Sequence, residues 1–310
     1  MKKYLGIICA ILLAFTLSSC GVKKELTELE LEGRKISASS AADMIEDWEK
    51  YNEDLLKEEE IFDNWISVNL NKISKSSNED GNSETYMSLS GKIYESYYAF
   101  DTKMSLTLKI QGTSYDKDSS AETEYRGTID VIYIDGRAYY DVSLTSKTYG
   151  EYETTTVKYN ELILGDIREL QSVIGFYYQP GVSFESMAVS SFIGSLSAIV
   201  AENEDSKAYR DDEVYGFEIE VEEEDEYNDS YTKSVSQISM KMKEEYDVKN
   251  FETYSSSIDR QDESSTETIT TASYKSSLGA LILKPLNHKE YKYTDQSLSN
   301  IINGIIGGNE

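Results

Sequence analysis

The sequence feature that most constrains the fold is a strict alternation of apolar and polar residues in residues 103–111. Met104, Leu106, Leu108 and Ile110 are separated by lysine, serine, threonine and glutamine side chains. Successive side chains of a β-strand point to opposite faces, so a period of two buries one face and leaves the other in water. The segment therefore predicts a half-buried strand in a sheet that has one apolar face.

Further strands follow the same pattern. Residues 129–134 and 138–144 flank Asp135-Gly136, a pair whose glycine accepts the positive φ of a tight hairpin turn. Alternation continues in residues 217–222 and 238–243. The 25 tyrosines and only two prolines also suit extended structure, because aromatic side chains fit a pleated, half-buried surface. A large antiparallel sheet is expected.

Helical spacing appears in four places. An amphipathic helix is predicted over residues 41–70, a second one starts at Asp166, and a third follows Pro180 with Ser183 as its N-cap. A short tail helix is predicted from Thr294. Strands and helices do not alternate along the chain, which argues against a parallel sheet. The expected class is α+β, with a curved open antiparallel β-sheet (half-barrel) and helices packed on its concave side.

The N-terminal residues have the order of an export signal. Lys2 and Lys3 precede an apolar run over residues 5–17, which is too short to span a bilayer of roughly 30 Å. The following Leu-Ser-Ser-Cys-Gly resembles the bacterial lipobox, which makes Cys20 the lipidated N-terminus of the mature chain. The predicted domains are residues 1–19 as signal peptide, 20–40 as lipidated N-terminus and tether, and 41–310 as a single β-rich domain.

Charge and cysteine content narrow the class of protein. Removing residues 1–19 takes away two lysines and no acid, so the formal charge changes from −27 to −29. A chain this acidic is repelled by phosphate backbones, which excludes nucleic acid as a partner. Of the two cysteines, Cys9 lies in the predicted signal peptide. The mature chain can therefore form no internal disulfide and must be stabilised by a hydrophobic core.

No residue pattern predicts catalysis, a metal ion or a cofactor. The one histidine, His288, would have to serve alone in any serine triad or zinc site. The loop starting at Asp116 fails as an EF-hand, because Ala121 and Gly127 stand where glycine and glutamate are required. The acidic residues 222–226 could bind a divalent ion weakly at a loop tip, but a solvated hairpin end is the favoured interpretation. We predict that the protein is not an enzyme.

Together, the lipobox, an N-terminal helix, the hairpin around residues 134–140 and an apolar mid-chain helix resemble the lipoprotein-carrier superfamily typified by LolA and LolB. The resemblance covers roughly residues 41–290. It implies a sheet and a helical lid around a cavity for acyl chains. The residues that it implies for ligand binding are Met104, Leu106, Leu108 and Ile110 on the sheet and Phe184, Phe192 and Leu196 on the lid.

The expected function is that of a membrane-anchored extracytoplasmic lipoprotein that binds a lipid or another apolar ligand in the cavity between sheet and helices. The alternative is an acidic envelope interaction or structural module with a filled core, whose partner is an envelope protein or a glycan. In both cases the expected membrane attachment is the N-terminal lipid, and the expected location is the outer face of a cell membrane.

Overall fold

A computed structural model describes residues 26–31, 33–55, 63–96, 101–176, 178–180, 182–225, 229–242, 248–276, 283, 287, 290–294 and 296–306. In this part of the chain, no helix has the length and hydropathy needed to cross a membrane.

Thirteen strands form one sheet in the described residues. Their order across the sheet is β1-β8-β9-β10-β11-β12-β2-β3-β4-β5-β6-β7-β13. All pairs are antiparallel except the last, in which β13 runs parallel to β7. The strands are β1 Arg34–Lys35, β2 Asp63–Asn78, β3 Gly81–Ser96, β4 Asp101–Asp116, β5 Ala121–Ile134, β6 Arg137–Tyr149, β7 Thr154–Gly165, β8 Ser206–Asp211, β9 Val214–Asp225, β10 Ser230–Met242, β11 Val248–Gln261, β12 Ser264–Ser276 and β13 Lys292–Tyr293.

Short turns fix the register of the sheet. The predicted turn between β5 and β6 is present, and both of its residues have positive φ, 52° for Asp135 and 72° for Gly136. This combination is typical of the turn that matches the twist of an antiparallel pair. A further turn joins β2 and β3 at residues 79–80, and the side chain of Asn78 accepts hydrogen bonds from the backbone N–H groups of Asp80 and Gly81.

Within the described ranges, four helices accompany the sheet: α1 Ala38–Leu55, α2 Glu169–Ile174, α3 Phe184–Val200 and α4 Leu298–Ile306. The side chain of Ser183 caps α3 as predicted by accepting a hydrogen bond from Ser186 N at 3.1 Å. Helix α1 packs against α3, and α3 packs against β8–β11. Further along the sheet, α4 contacts α2, β5 and β6.

One hydrophobic core lies between the helices and the sheet. Trp48 of α1 is buried there, with its ring 5.3 Å from Phe192 of α3 and 5.1 Å from Tyr215 of β9. The opposite face of the sheet is partly covered by the N-terminal segment, residues 26–31. In this segment Leu29 N donates to Gln237 Oε1 at 2.7 Å, and Leu31 lies over Gly216. Part of the stretch predicted as a tether is therefore docked on the sheet.

The expected α+β class is wrong. Strands account for most of the described residues and form a single sheet of thirteen strands, and the four helices cover only parts of it. The predicted helix over residues 41–70 ends at Leu55, and β2 begins at Asp63. Ile66, Val68 and Leu70 alternate on the buried face of that strand, so their period is two.

Candidate anion-binding pocket

The seven residues implied by the carrier resemblance are all buried. Met104, Leu106, Leu108 and Ile110 lie on the helix-facing side of β4, and Phe184, Phe192 and Leu196 lie on α3; none is more than 3% exposed. All belong to one hydrophobic cluster. The structure does not place α3 as a lid over β4, because α3 packs on β8–β11. These side chains fill the core by contacting other protein groups.

A separate pocket of about 450 Å³ lies at the end of the sheet where the β5–β6 turn, the end of β7 and the segment after it meet. Its volume lies in the range of small-molecule sites. The residues that line it are Tyr133, Gly136, Arg137, Leu164, Gly165, Asp166, Ile167, Arg168, Pro180 and Tyr293.

Arg137 is the cation that gives the pocket its character. It is the first residue of β6, directly after the turn at Asp135-Gly136, and its side chain is exposed. It has no ion-pair or hydrogen-bonding partner for its side chain among the described residues. A guanidinium offers five N–H donors in a planar fork that matches a carboxylate or phosphate. In a chain of net charge −27, a free arginine beside a cavity is a candidate binding group for an anion.

The second arginine of the pocket is already paired. Arg168 Nε donates to both carboxylate oxygens of Asp166, at 3.0 and 2.9 Å, and its Nη2 group donates to Oδ2. The Arg168 side chain, through its hydrogen bond, holds the pKa of Asp166 below its ordinary value. The Asp166–Arg168 pair is therefore neutral overall, and Arg137 leaves the lining with an excess positive charge.

Two tyrosines define the inner part of the pocket. Burial, helped by the nearby Asp166 carboxylate, raises the pKa of Tyr133, so its hydroxyl stays protonated and can donate a hydrogen bond. Tyr140 is fully buried behind the pocket and donates to the backbone oxygen of Asp166 at 2.5 Å. This bond holds the segment after β7 in place. The pocket wall at Gly165 is tight, because an added Cβ would lie 3.1 Å from the Tyr140 ring.

A buried carboxylate positions the wall that contains Pro180. Glu95 of β3 is 7% exposed; it accepts a hydrogen bond from the Tyr178 hydroxyl and another from Phe184 N at 3.1 Å. Burial raises the pKa of Glu95, although both hydrogen bonds act in the opposite direction. Burial also raises the pKa of Tyr178, followed by the effect of the Glu95 charge, so Tyr178 remains the donor. These bonds tie the segment between α2 and α3 to the sheet on both sides of Pro180.

The sequence carries only a weak sign of this pocket. Arg137 and Tyr133 belong to the hairpin at residues 134–140 and its flank, which the sequence marks as a turn and not as a site. Arg168 follows the predicted start of a helix. The contribution of Tyr293 comes from pairing of β13 with β7, which joins residues far apart in the chain. Only that pairing shows that these residues share one cavity.

Comparisons with known proteins give distant structural neighbours only. No family model and no curated protein matches the chain. The translocator domain of the autotransporter NalP from Neisseria meningitidis is 9% identical, with a TM-score of 0.28, and covers 77% of this chain and 97% of its own. Ail, the attachment invasion locus protein of Yersinia pestis, is 8% identical, with a TM-score of 0.21 and coverage of 69% and 99%. The β domain of the Bordetella autotransporter BrkA is 8% identical, with a TM-score of 0.25 and the same coverage.

The predicted resemblance to LolA and LolB is wrong. The neighbours named above are outer-membrane β-barrel proteins and not lipoprotein carriers. The function drawn from that resemblance, a lipoprotein with an apolar ligand between sheet and helices, is corrected with it. The expected membrane attachment through an N-terminal lipid, which belonged to the same prediction, is corrected as well. Their TM-scores, all below 0.5, assign no fold or activity to this chain.

Location is the part of the prediction that agrees with the comparisons. The neighbours are bacterial cell-envelope proteins, and the sequence predicts an envelope location; the lipid-anchored form of that prediction does not match them. Cys20 and His288 lie outside the described residues, so lipidation of Cys20 stays a prediction. Among the described residues, no group of three or more histidine, cysteine, aspartate or glutamate side chains is placed to hold a metal ion.

Proposed function

We propose that this protein is a non-enzymatic protein of the bacterial cell envelope that binds a small organic anion in the pocket beside Arg137. The observation that carries the proposal is a free guanidinium at a cavity of about 450 Å³ in a chain of net charge −27. This ligand differs from the expected apolar one in both chemistry and place, because the pocket lies at the end of the sheet and outside the core.

The lining favours a carboxylate attached to an apolar group. Arg137 can bind both oxygens of a carboxylate, and the protonated Tyr133 hydroxyl can donate a further hydrogen bond. Leu164, Ile167 and Pro180 supply apolar surface for the rest of the molecule. A fully hydrated inorganic anion would leave this apolar surface unused, so an aromatic or branched carboxylate fits better.

The titratable groups of the pocket support binding without catalysis. A general acid or base works best when its pKa lies near the ambient pH. Here the pKa of Asp166 is lowered by its bond to Arg168, and the pKa of Tyr133 is raised by burial. Both shifts move these groups away from neutral pH.

Titration calorimetry with benzoate tests the proposal, and phosphate serves as the comparison anion. Arg137→Gln is expected to weaken benzoate binding by about 10- to 150-fold, the cost of losing a charge-assisted hydrogen bond. Arg126→Gln is the matched control, since Arg126 is an exposed arginine of β5 that does not line the pocket. Equal binding by Arg137→Gln and the parent chain, or no benzoate binding at millimolar concentration, refutes the proposal.

A further inference from the structure

One edge strand of the sheet, β7, has no described strand beside it over a long stretch. Residues 154–162 of β7 pair with β6 on one side. On the other side, β13 reaches only Ile163 and Leu164, so no described strand pairs with the preceding nine residues. At about 3.3 Å per residue the open edge is roughly 30 Å long. Its backbone N–H and C=O groups form a template for another strand.

At the opposite edge of the sheet, the chain itself covers part of β8, and the part of β9 that extends beyond β8, residues 220–225, is strongly acidic. Arg34 and Lys35 of β1 pair with β8, and Ile36 N donates to Ala208 O at 2.8 Å. These contacts involve three residues of the six-residue strand β8. Folded proteins ordinarily shield exposed edges with short strands, charges or loops. The β7 edge is therefore the long unshielded one in the described part of the sheet.

The composition of this edge suits pairing. Thr-Thr-Thr-Val-Lys-Tyr-Asn-Glu-Leu contains five residues with high strand propensity and no proline or glycine. Its single lysine and single glutamate cancel, so the segment is neutral within a chain of net charge −27. A strand that approaches it meets less repulsion here than at the acidic surfaces elsewhere.

We infer that the partner of this edge is β7 of a second copy of the chain, paired antiparallel about a two-fold axis. A two-fold interface brings the same patch from both copies together and so must be complementary to itself. Two neutral edges of identical length meet this condition. An axis perpendicular to the sheet keeps the helix-covered face of both copies on one side, and it continues the sheet from one copy into the other.

Charge selects the register. The longest overlap, centred on Lys158, would place the two copies of this lysine directly opposite each other, which destabilises a strand pair. Centring the axis on Tyr159 removes this repulsion. Tyr159 then faces its own copy, and Lys158 faces Asn160 of the second copy. Both residues lie in the part of β7 that pairs only with β6; Tyr159 is half-buried and Asn160 is exposed.

Two substitutions with opposite expected effects test the interface. In the Tyr159-centred register, Asn160→Asp places a carboxylate opposite Lys158 at two equivalent positions, and Asn160→Lys places a second lysine there. We expect Asn160→Asp to tighten and Asn160→Lys to weaken dimerisation by about 2- to 30-fold each. Analytical ultracentrifugation of the full chain measures both. Because the full chain is used, neither result depends on the folding of a truncated piece.

Cysteine cross-linking tests the register independently. In a background with Cys9 and Cys20 replaced by serine, Tyr159→Cys is expected to cross-link under mild oxidation. The matched control Thr154→Cys lies on the same edge, but its two copies are about 33 Å apart in this register. A monomer at all concentrations up to about 1 mM, identical dimerisation of the two Asn160 variants, or preferential cross-linking of Thr154→Cys overturns the inference. The test needs no pocket ligand, so its result is separate from that of the proposed function.

Discussion

The buried pair of Glu95 and Tyr178 makes stability depend on pH in a direction that can be worked out. Because burial raises the pKa of Glu95, the folded chain keeps this proton to a higher pH than the unfolded chain does. The contribution to the free energy of unfolding is therefore full below the ordinary glutamate pKa, and it falls as the pH rises through the folded-state pKa. The hydrogen bond from Tyr178 reduces this loss, since it stabilises the carboxylate.

Replacing Tyr178 by phenylalanine removes that hydrogen bond and little volume. When Glu95 is ionised, its buried carboxylate loses a charge-assisted hydrogen bond, which costs about 1.5–3 kcal/mol. When Glu95 is protonated, the lost bond is between neutral groups and costs about 0.5–1.5 kcal/mol. We therefore expect the destabilisation by Tyr178→Phe to increase as the pH rises through the folded-state pKa of Glu95, by about 1 kcal/mol in total.

Urea unfolding between pH 5 and pH 8.5 measures this difference and stays above the isoelectric point of about 4.4. The control is Tyr178→Phe in a Glu95→Gln background. There the side chain at position 95 does not titrate, so the cost of removing the hydroxyl should be the same at every pH. A constant cost in the parent chain, or a pH-dependent cost in the Glu95→Gln background, would refute the linkage.

Three further predictions concern packing. Gly165→Ala places a Cβ 2.7 Å from Glu169 Oε1, and we expect it to lower the free energy of unfolding by about 1–3 kcal/mol, as measured by urea titration. The control is Gly194→Ala in α3, which has open space around it and should be neutral or stabilising. Gln237→Ala removes the oxygen that accepts the hydrogen bond from Leu29 N, which should weaken docking of residues 26–31 by about 1 kcal/mol and make them easier to cleave by a protease. Unchanged cleavage would contradict this docking. Trp48→Ala should lose about 3–5 kcal/mol in thermal unfolding, and a smaller loss would show that α1 contributes little to the core.

Periodicity predicted the local elements well where one face of the sheet is buried. The alternation around Met104–Ile110 appears in β4, and the Asp135-Gly136 turn joins β5 and β6. The apolar–polar alternation did not predict strands where both faces of the sheet are polar. Residues 74–84 have the composition of a loop, but in the structure they form the end of β2, a two-residue turn and the start of β3. Serine, threonine and asparagine side chains carry no apolar signal, even where the backbone pairs fully.

The arrangement of the sheet could not be predicted from local signals. β12 pairs with β2, which brings together strands almost two hundred residues apart, and no short-range pattern encodes that contact. The same reason explains why the pocket was missed. Tyr293 reaches Arg137 and Tyr133 only because β13 pairs with β7. Apolar residues of α3 were instead assigned to a ligand cavity, although an apolar helix packs equally well against a filled core.

The first and last described strands, β1 and β13, relate the pocket to the edges of the sheet. β1 and β13 each contribute only two residues to the sheet, yet they pair with the strands at its two edges. Edge pairing by β13 also brings Tyr293 to the pocket, so the same contact closes part of an edge and builds a pocket wall. Among the described residues, β13 pairs only with Ile163 and Leu164, and no strand lies beside residues 154–162 on this side of β7. The extent of β13 thus sets both the boundary of the proposed anion pocket and the start of the edge available to a second copy.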